Sequence, residues 1–251
     1  MACALPVVGL LASVACAPLP FAVAQPGLTA DVLGTNKGRP VVTIEGAPVR
    51  RTSGQLRMTT IVATSPDHEV YLGDVLSGWF SSERAVMPYG AVYPGGGSTE
   101  EIERRNTRAM EKSQDAATAA ALAYLDRSPE EVRVRLRLVD VGGPSAGLLF
   151  ALGIVDKLVG DGAGGDLTGG RTIAGTGTIT ADGKVGAVGG VPLKTRAARR
   201  DGATVFLLPR DECVEARAER PEGLRLVPVT SLKGAVEALR ALKKGAAVPH
   251  C

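Results

Sequence analysis

Residues 141–150 read VGGPSAGLLF, and residues 132–139 just before them read VRVRLRLV. The upstream run alternates strictly. Val132, Val134, Leu136 and Leu138 fall on one face, and Arg133, Arg135 and Arg137 on the other. A period of two marks a half-buried β-strand. Downstream, AGLLFALGIVDKLV (146–159) is apolar on every side, which predicts a buried helix. Between them, Gly142, Gly143 and Pro144 set a tight turn and leave room for another backbone to approach. That turn holds up Ser145. The segment therefore reads as strand, serine turn and helix.

The same grammar extends outward. RPVVTIEG (39–46) and GQLRMTTIVAT (54–64) read as strands bounded by Gly and Pro. DVLSGWFSSERAVMP (74–88) reads as a short amphipathic helix carrying Trp79 and Phe80. Thr99 is expected to cap the next helix, with Glu100 and Glu101 in its first turn, where negative charge suits the helix dipole. That helix continues through MEKSQDAATAAALAYL (110–125). Asp182-Gly183 is a hairpin-turn signal between RTIAGTGTIT and GKVGAVGG. VPLKTRAARRDG (191–202) reads as a helix with Pro192 near its start and Gly202 as its stop. ATVFLLP (203–209) reads as a buried strand. In SLKGAVEALRALKK (231–244), Leu232, Val236, Leu239 and Leu242 recur at helical spacing. This alternation predicts an α/β fold of the mixed α+β kind from about residue 110 onward.

Composition narrows the class. Of 251 residues, 45% are hydrophobic and 22% charged, which is ordinary for a globular chain. Aromatics are only 4%, so the core must be aliphatic. The net charge of +3, with no long basic run, argues against a nucleic-acid partner. Arg104, Arg105 and Arg108 lie among glutamates on a helical pattern and read as a solvated face.

Residues 1–27 carry no charge and are mostly apolar. This stretch reads as a signal peptide or a membrane anchor. Ala22, Val23 and Ala24 offer an A-x-A cleavage site, whereas a positive n-region is missing. Anchoring is the reading adopted, with residues 1–25 as the anchor, 26–110 as an extracytoplasmic segment and 111–251 as the main domain. Cys213 and Cys251 then lie in an oxidising compartment, where a disulfide between them would constrain the unfolded chain. No C-x-x-C occurs and there are only two histidines, so no metal or cofactor is implied.

A serine hydroxyl needs a base before it becomes a useful nucleophile. His68 lies in a polar loop and His250 is the penultimate residue, so neither has the setting of a catalytic base. A lysine can serve if desolvation lowers its pKa. Lys194, in GGVPLKTRAA at the start of a small-residue helix, fits that requirement, although its spacing alone reads more readily as that of a solvated helix residue. Lys157, Lys184, Lys233, Lys243 and Lys244 sit in polar or turn-like settings.

GGPSAG (142–147), GTGTITADGKVGAVGG (175–190) and LKTRAARRDGATVFLLP (193–209) together resemble the proteolytic domain of Lon-type serine proteases. The resemblance covers roughly residues 111–245. It implies a Ser-Lys dyad of Ser145 and Lys194, with Thr176 orienting the lysine. Many members of that family carry an acidic residue three positions before the serine, where this chain has Gly142. The upstream stretches VVTIEGAP, TSGQLRMTTI, YPGGGSTEE and SQDAATAAAL resemble membrane-anchored, ATPase-free bacterial Lon-like proteases. Those proteins usually insert a PDZ domain before the serine motif. Here only DRSPEEVRVRLRLVD separates Leu125 from Val141, too short for a domain of about 50 residues. No phosphate-binding loop is present: GTITADGKV has the wrong spacing and Val185 after the lysine. The expected activity is ATP-independent cleavage of flexible extracytoplasmic proteins or peptides by a homo-oligomer. The alternatives are a catalytically silent scaffold and a small-molecule esterase or amidase.

Overall fold

A computed structural model describes residues 16–139 and 141–251. Most of the predicted anchor, residues 1–15, thus lies outside the described residues. The chain divides into two compact units that interleave in sequence. One comprises the described residues up to Pro26 and Ile61–Arg104, the other Gly27–Thr60 and the described residues from Arg105 to Cys251. The larger unit therefore draws on residues 27–60 as well as on the stretch after 110.

The larger unit is mixed α/β. Strands Arg225–Val229, Val205–Pro209 and Thr172–Gly175 lie side by side, followed by the first part of Gln55–Ala63. All of these pairings are parallel, with Val205 opposite both Arg225 and Ile173, and Gln55 opposite Thr172. Val205–Pro209 is buried at all five positions. A parallel strand covered on both faces requires such a continuous apolar run.

The helix Gly147–Leu158 is buried without a break from Gly147 to Asp156, as its all-round apolarity predicts. Leu148, Leu149, Phe150, Leu152 and Ile154 have no exposed surface. Each such side chain contributes roughly 1.5–3 kcal/mol by leaving water. The final helix, Leu232–Lys243, buries Leu232, Val236, Leu239 and Leu242 in the same core. Ser231 caps it, accepting a hydrogen bond from the Gly234 amide.

The arginine-alternating strand is Arg133–Leu136, paired antiparallel with Val42–Glu45. Its arginines are exposed, and Val134 and Leu136 pack against the core. The Asp182-Gly183 hairpin joins Thr178–Ile179 to Val185–Gly186 in antiparallel register, with Gly183 in the left-handed region.

In the smaller unit, the start of strand Phe21–Asp31 pairs antiparallel with Ala85–Pro88. Ala22 and Ala24, from the A-x-A motif, are buried in that strand. The helix expected over 74–88 is instead Leu72–Trp79, and Ala85–Pro88 is a strand. The helix cannot persist past Trp79 because SSERA offers no further apolar stripe, whereas AVM alternates into a pairing. Trp79 and Phe80 remain exposed. The cap of helix Thr99–Tyr124 is Ser98 rather than Thr99. The Ser98 amide donates to Glu101 Oε2 at 3.1 Å, and the Glu101 amide donates to Ser98 Oγ at 3.3 Å. This reciprocal pair is a capping box shifted by one residue from the expectation. Among the described residues, no helix is long and apolar enough to cross a membrane.

Candidate active site

The Ser145 turn is fastened on two sides. Gly143 adopts φ 88°, a conformation that favours glycine, and its amide donates to the Asn106 carbonyl at 3.1 Å. Ser113 Oγ donates to the Pro144 carbonyl at 2.9 Å. On the other side, the Ser145 carbonyl accepts from the Gly177 amide at 2.9 Å and from Thr176 Oγ1 at 3.3 Å. The Leu148 amide returns a bond to the Gly177 carbonyl at 3.1 Å. Helix Thr99–Tyr124 and the GTG segment thus hold the serine between them.

Two glycines here are required by space. A Cβ on Gly147 would sit 2.9 Å from both Ile179 Cγ2 and Ser113 Oγ. A Cβ on Gly142 would sit 2.9 Å from Asn106 Cβ, so an acidic side chain would not fit there without movement of that helix. Ser145 itself is half-buried. Its hydroxyl, and the amides of Ser145 and Ala146, make no hydrogen bond among the described residues.

Lys194 lies in helix Val191–Arg200, which starts from Gly190 in the left-handed region at φ 68°. Pro192 sits in its first turn, where a missing N–H costs nothing. Lys194 is only 4% exposed. Burial lowers its ammonium pKa to about 8, against the opposing pull of Glu212 and Glu215. Its amine makes no hydrogen bond among the described residues, to Ser145, Thr176 or any other group. Thr176 is fully buried and meets Ser145 through the serine carbonyl. Of the three predicted residues, the structure joins Ser145 and Thr176 by a hydrogen bond and leaves Lys194 unbonded.

The rejected bases remain poor ones. His68 and His250 are exposed. Lys157 is lowered by burial, but its amine donates to the Leu33 carbonyl at 3.1 Å. Lys243 is paired with Asp161. Sequence reading missed Glu212 and Glu215. Their signal was RDECVE, two carboxylates around a cysteine just after a buried strand. That cysteine, Cys213, is bonded to Cys251, a pairing the sequence allowed but left open. Among the described residues, no group of three His, Cys, Asp or Glu side chains is placed to hold a metal ion.

A mixed α/β unit that seats a serine turn on a buried helix, with a desolvated lysine on a later one, has the form of a hydrolase domain. Residues 115–239 match the family model of the Lon protease (S16) C-terminal proteolytic domain. This part of the chain is a Lon-type proteolytic domain, and the resemblance read from the three motifs is borne out. Over 111 residues the chain is 32% identical to a Lon protease of Chloroflexus aggregans (strain MD-66 / DSM 9485), covering 41% of this chain and 13% of that protein. Over 83 residues it is 42% identical to a Lon protease of Clostridioides difficile (strain 630), covering 33% of this chain and 10% of that protein. The matched region thus spans only about a tenth of the length of these curated relatives.

Proposed function

We propose that the chain is a serine-type endopeptidase in which Ser145 is the nucleophile and Lys194 its base. The observation that carries this reading is the burial of Lys194 in a Lon-type domain. Desolvation places its amine near pH 8, where a neutral fraction exists at working pH. Ser145 Oγ attacks a peptide carbonyl and its proton passes to the Lys194 amine. The C–N bond then breaks, and the leaving amine takes that proton. Water, deprotonated in turn by Lys194, attacks the acyl ester, and Ser145 departs with the proton. The unengaged amides of Ser145 and Ala146 lie next to the nucleophile and are the natural donors to the oxyanion. Thr176 positions the serine through its carbonyl.

The substrates are flexible or unfolded protein segments outside the cytoplasm, reached by a membrane-associated homo-oligomer without ATP. Casein hydrolysis and fluorophosphonate labelling by wild type, abolished in Ser145→Ala and unaffected by added ATP, are the expected results. Undiminished cleavage by Ser145→Ala would remove the mechanism, and stimulation by ATP would remove its energy independence. One observation favours a second reading, a silent scaffold: no hydrogen bond links Ser145 to Lys194 among the described residues. Absence of labelling in wild type at every pH would select that reading.

A further inference from the structure

The segment that follows strand Val205–Pro209 folds back onto the Lys194 helix. Glu212 Oε1 accepts the Val188 amide at 3.2 Å, two residues before the Gly190 turn that starts that helix. Glu215 lies one turn further along, in helix Cys213–Ala218, where burial and the neighbouring Glu212 charge raise its pKa. Helix Cys213–Ala218 packs against the Lys194 helix. Cys213 stands between the two glutamates in sequence, and its partner Cys251 packs on the cluster that contains Val191 and Ala198 of the Lys194 helix. The carboxylates are therefore held at two points, by the amide of Val188 and by a covalent bond.

The arginines of the Lys194 helix have other neighbours, and Arg217, which shares helix Cys213–Ala218 with Glu215, is exposed. Arg196 is paired with Glu219, and Arg200 with Asp201. Arg199 lies beside Gly223. Strand Thr172–Gly175, which also packs on the Lys194 helix, carries no titratable side chain. Among the described residues, Glu212 and Glu215 are the charges that act on the Lys194 amine, opposing its desolvation.

We infer that Glu212 and Glu215 are positioning residues that hold the Lys194 amine electrostatically, and that the Cys213–Cys251 disulfide keeps them in place. The inference rests on the reading of Lys194 as the base. A carboxylate favours the ammonium form, so the pair opposes desolvation and sets the pH at which the amine becomes a base. Reduction of the disulfide releases the segment and removes that restraint. A water-soluble phosphine delivers two electrons to the S–S bond. Water supplies two protons to the thiols and its oxygen to the phosphine.

The test is the pH profile of fluorophosphonate labelling and peptide hydrolysis by the full chain. Glu212→Gln keeps an acceptor for the Val188 amide and removes only the charge. Together with Glu215→Gln, it should move the midpoint of the rising limb down by about 1 pH unit. A merely structural pair would lower the rate without moving the midpoint. Glu212→Ala, which also strands the Val188 amide, should lower the maximal rate several-fold more than Glu212→Gln. Cys251→Ser and phosphine-treated wild type should show one common altered profile, and phosphine should not change Cys251→Ser further. An unmoved midpoint in the double Gln variant, with labelling that still depends on Lys194, would overturn the inference alone. Labelling that does not depend on Lys194 would overturn the base assignment and the inference with it.

Discussion

Among the described residues of the larger unit, two charged side chains are buried, Asp156 on helix Gly147–Leu158 and Lys194 on helix Val191–Arg200. Desolvation moves both, Asp156 up to about 6 and Lys194 down to about 8. Asp156 is nevertheless engaged in architecture. Its Oδ1 accepts the Leu167 amide at 2.8 Å, fixing the loop that leads to strand Thr172–Gly175, while Oδ2 has no partner. Among the described residues, the Lys194 amine ties down nothing, and Lys194 lies in one of the three motifs of the Lon-type domain. Perturbed titration therefore marks burial in both places, and only the absence of a structural task distinguishes the second as a working group.

The sharpest way to break this contrast is to neutralise each group. Lys194→Met should reduce peptide hydrolysis at least about a thousandfold. Asp156→Asn should stay within about threefold of wild type, because Asn can still accept the Leu167 amide. Equal losses in both variants, measured as kcat/KM, would show that the two groups do not differ in kind.

A smaller effect is expected on stability. Each variant removes a desolvated charge, and a shift of about 2 pH units corresponds to roughly 3 kcal/mol as an upper bound. Chemical denaturation at pH 7 should show both variants more stable than wild type by about 1–3 kcal/mol, with Lys194→Met losing activity as it gains stability.

The subtlest test lies in the pH dependence of those gains. Asp156 has a folded pKa above its ordinary value, so its penalty is absent below about 3.8 and complete above about 6. The advantage of Asp156→Asn should therefore disappear as pH falls through that window. Lys194 has a folded pKa below its ordinary value, so its penalty is complete below about 8 and absent above about 10.5. The advantage of Lys194→Met should fade as pH rises through that window. Parallel slopes would show that one of the two shifts has been misattributed.

Much of this arrangement was legible in the sequence because short-range chemistry dictates it. The alternation of 132–139, the all-round apolarity after Ser145, Pro192, Gly202 and Asp182-Gly183 each specify local structure without help from distant residues. What stayed hidden depends on long-range partners. Ser98 displaced Thr99 as the cap because the reach of Glu101 decides between neighbouring hydroxyls. Residues 27–60 join the larger unit through pairings such as Gln55 with Thr172, which no local pattern announces. Glu212 and Glu215 read as ordinary surface carboxylates until helix packing brings them to Lys194.

The bond between Cys213 and Cys251 spans 38 residues and encloses strand Arg225–Val229 and helix Leu232–Lys243. The last strand and last helix thus belong to a covalent ring. A single backbone cut at the exposed Arg217, Arg220 or Arg225 opens that ring without releasing a fragment. Nicked and intact molecules would therefore run together on a denaturing gel until a thiol is added, and self-digestion there would go unseen under oxidising conditions.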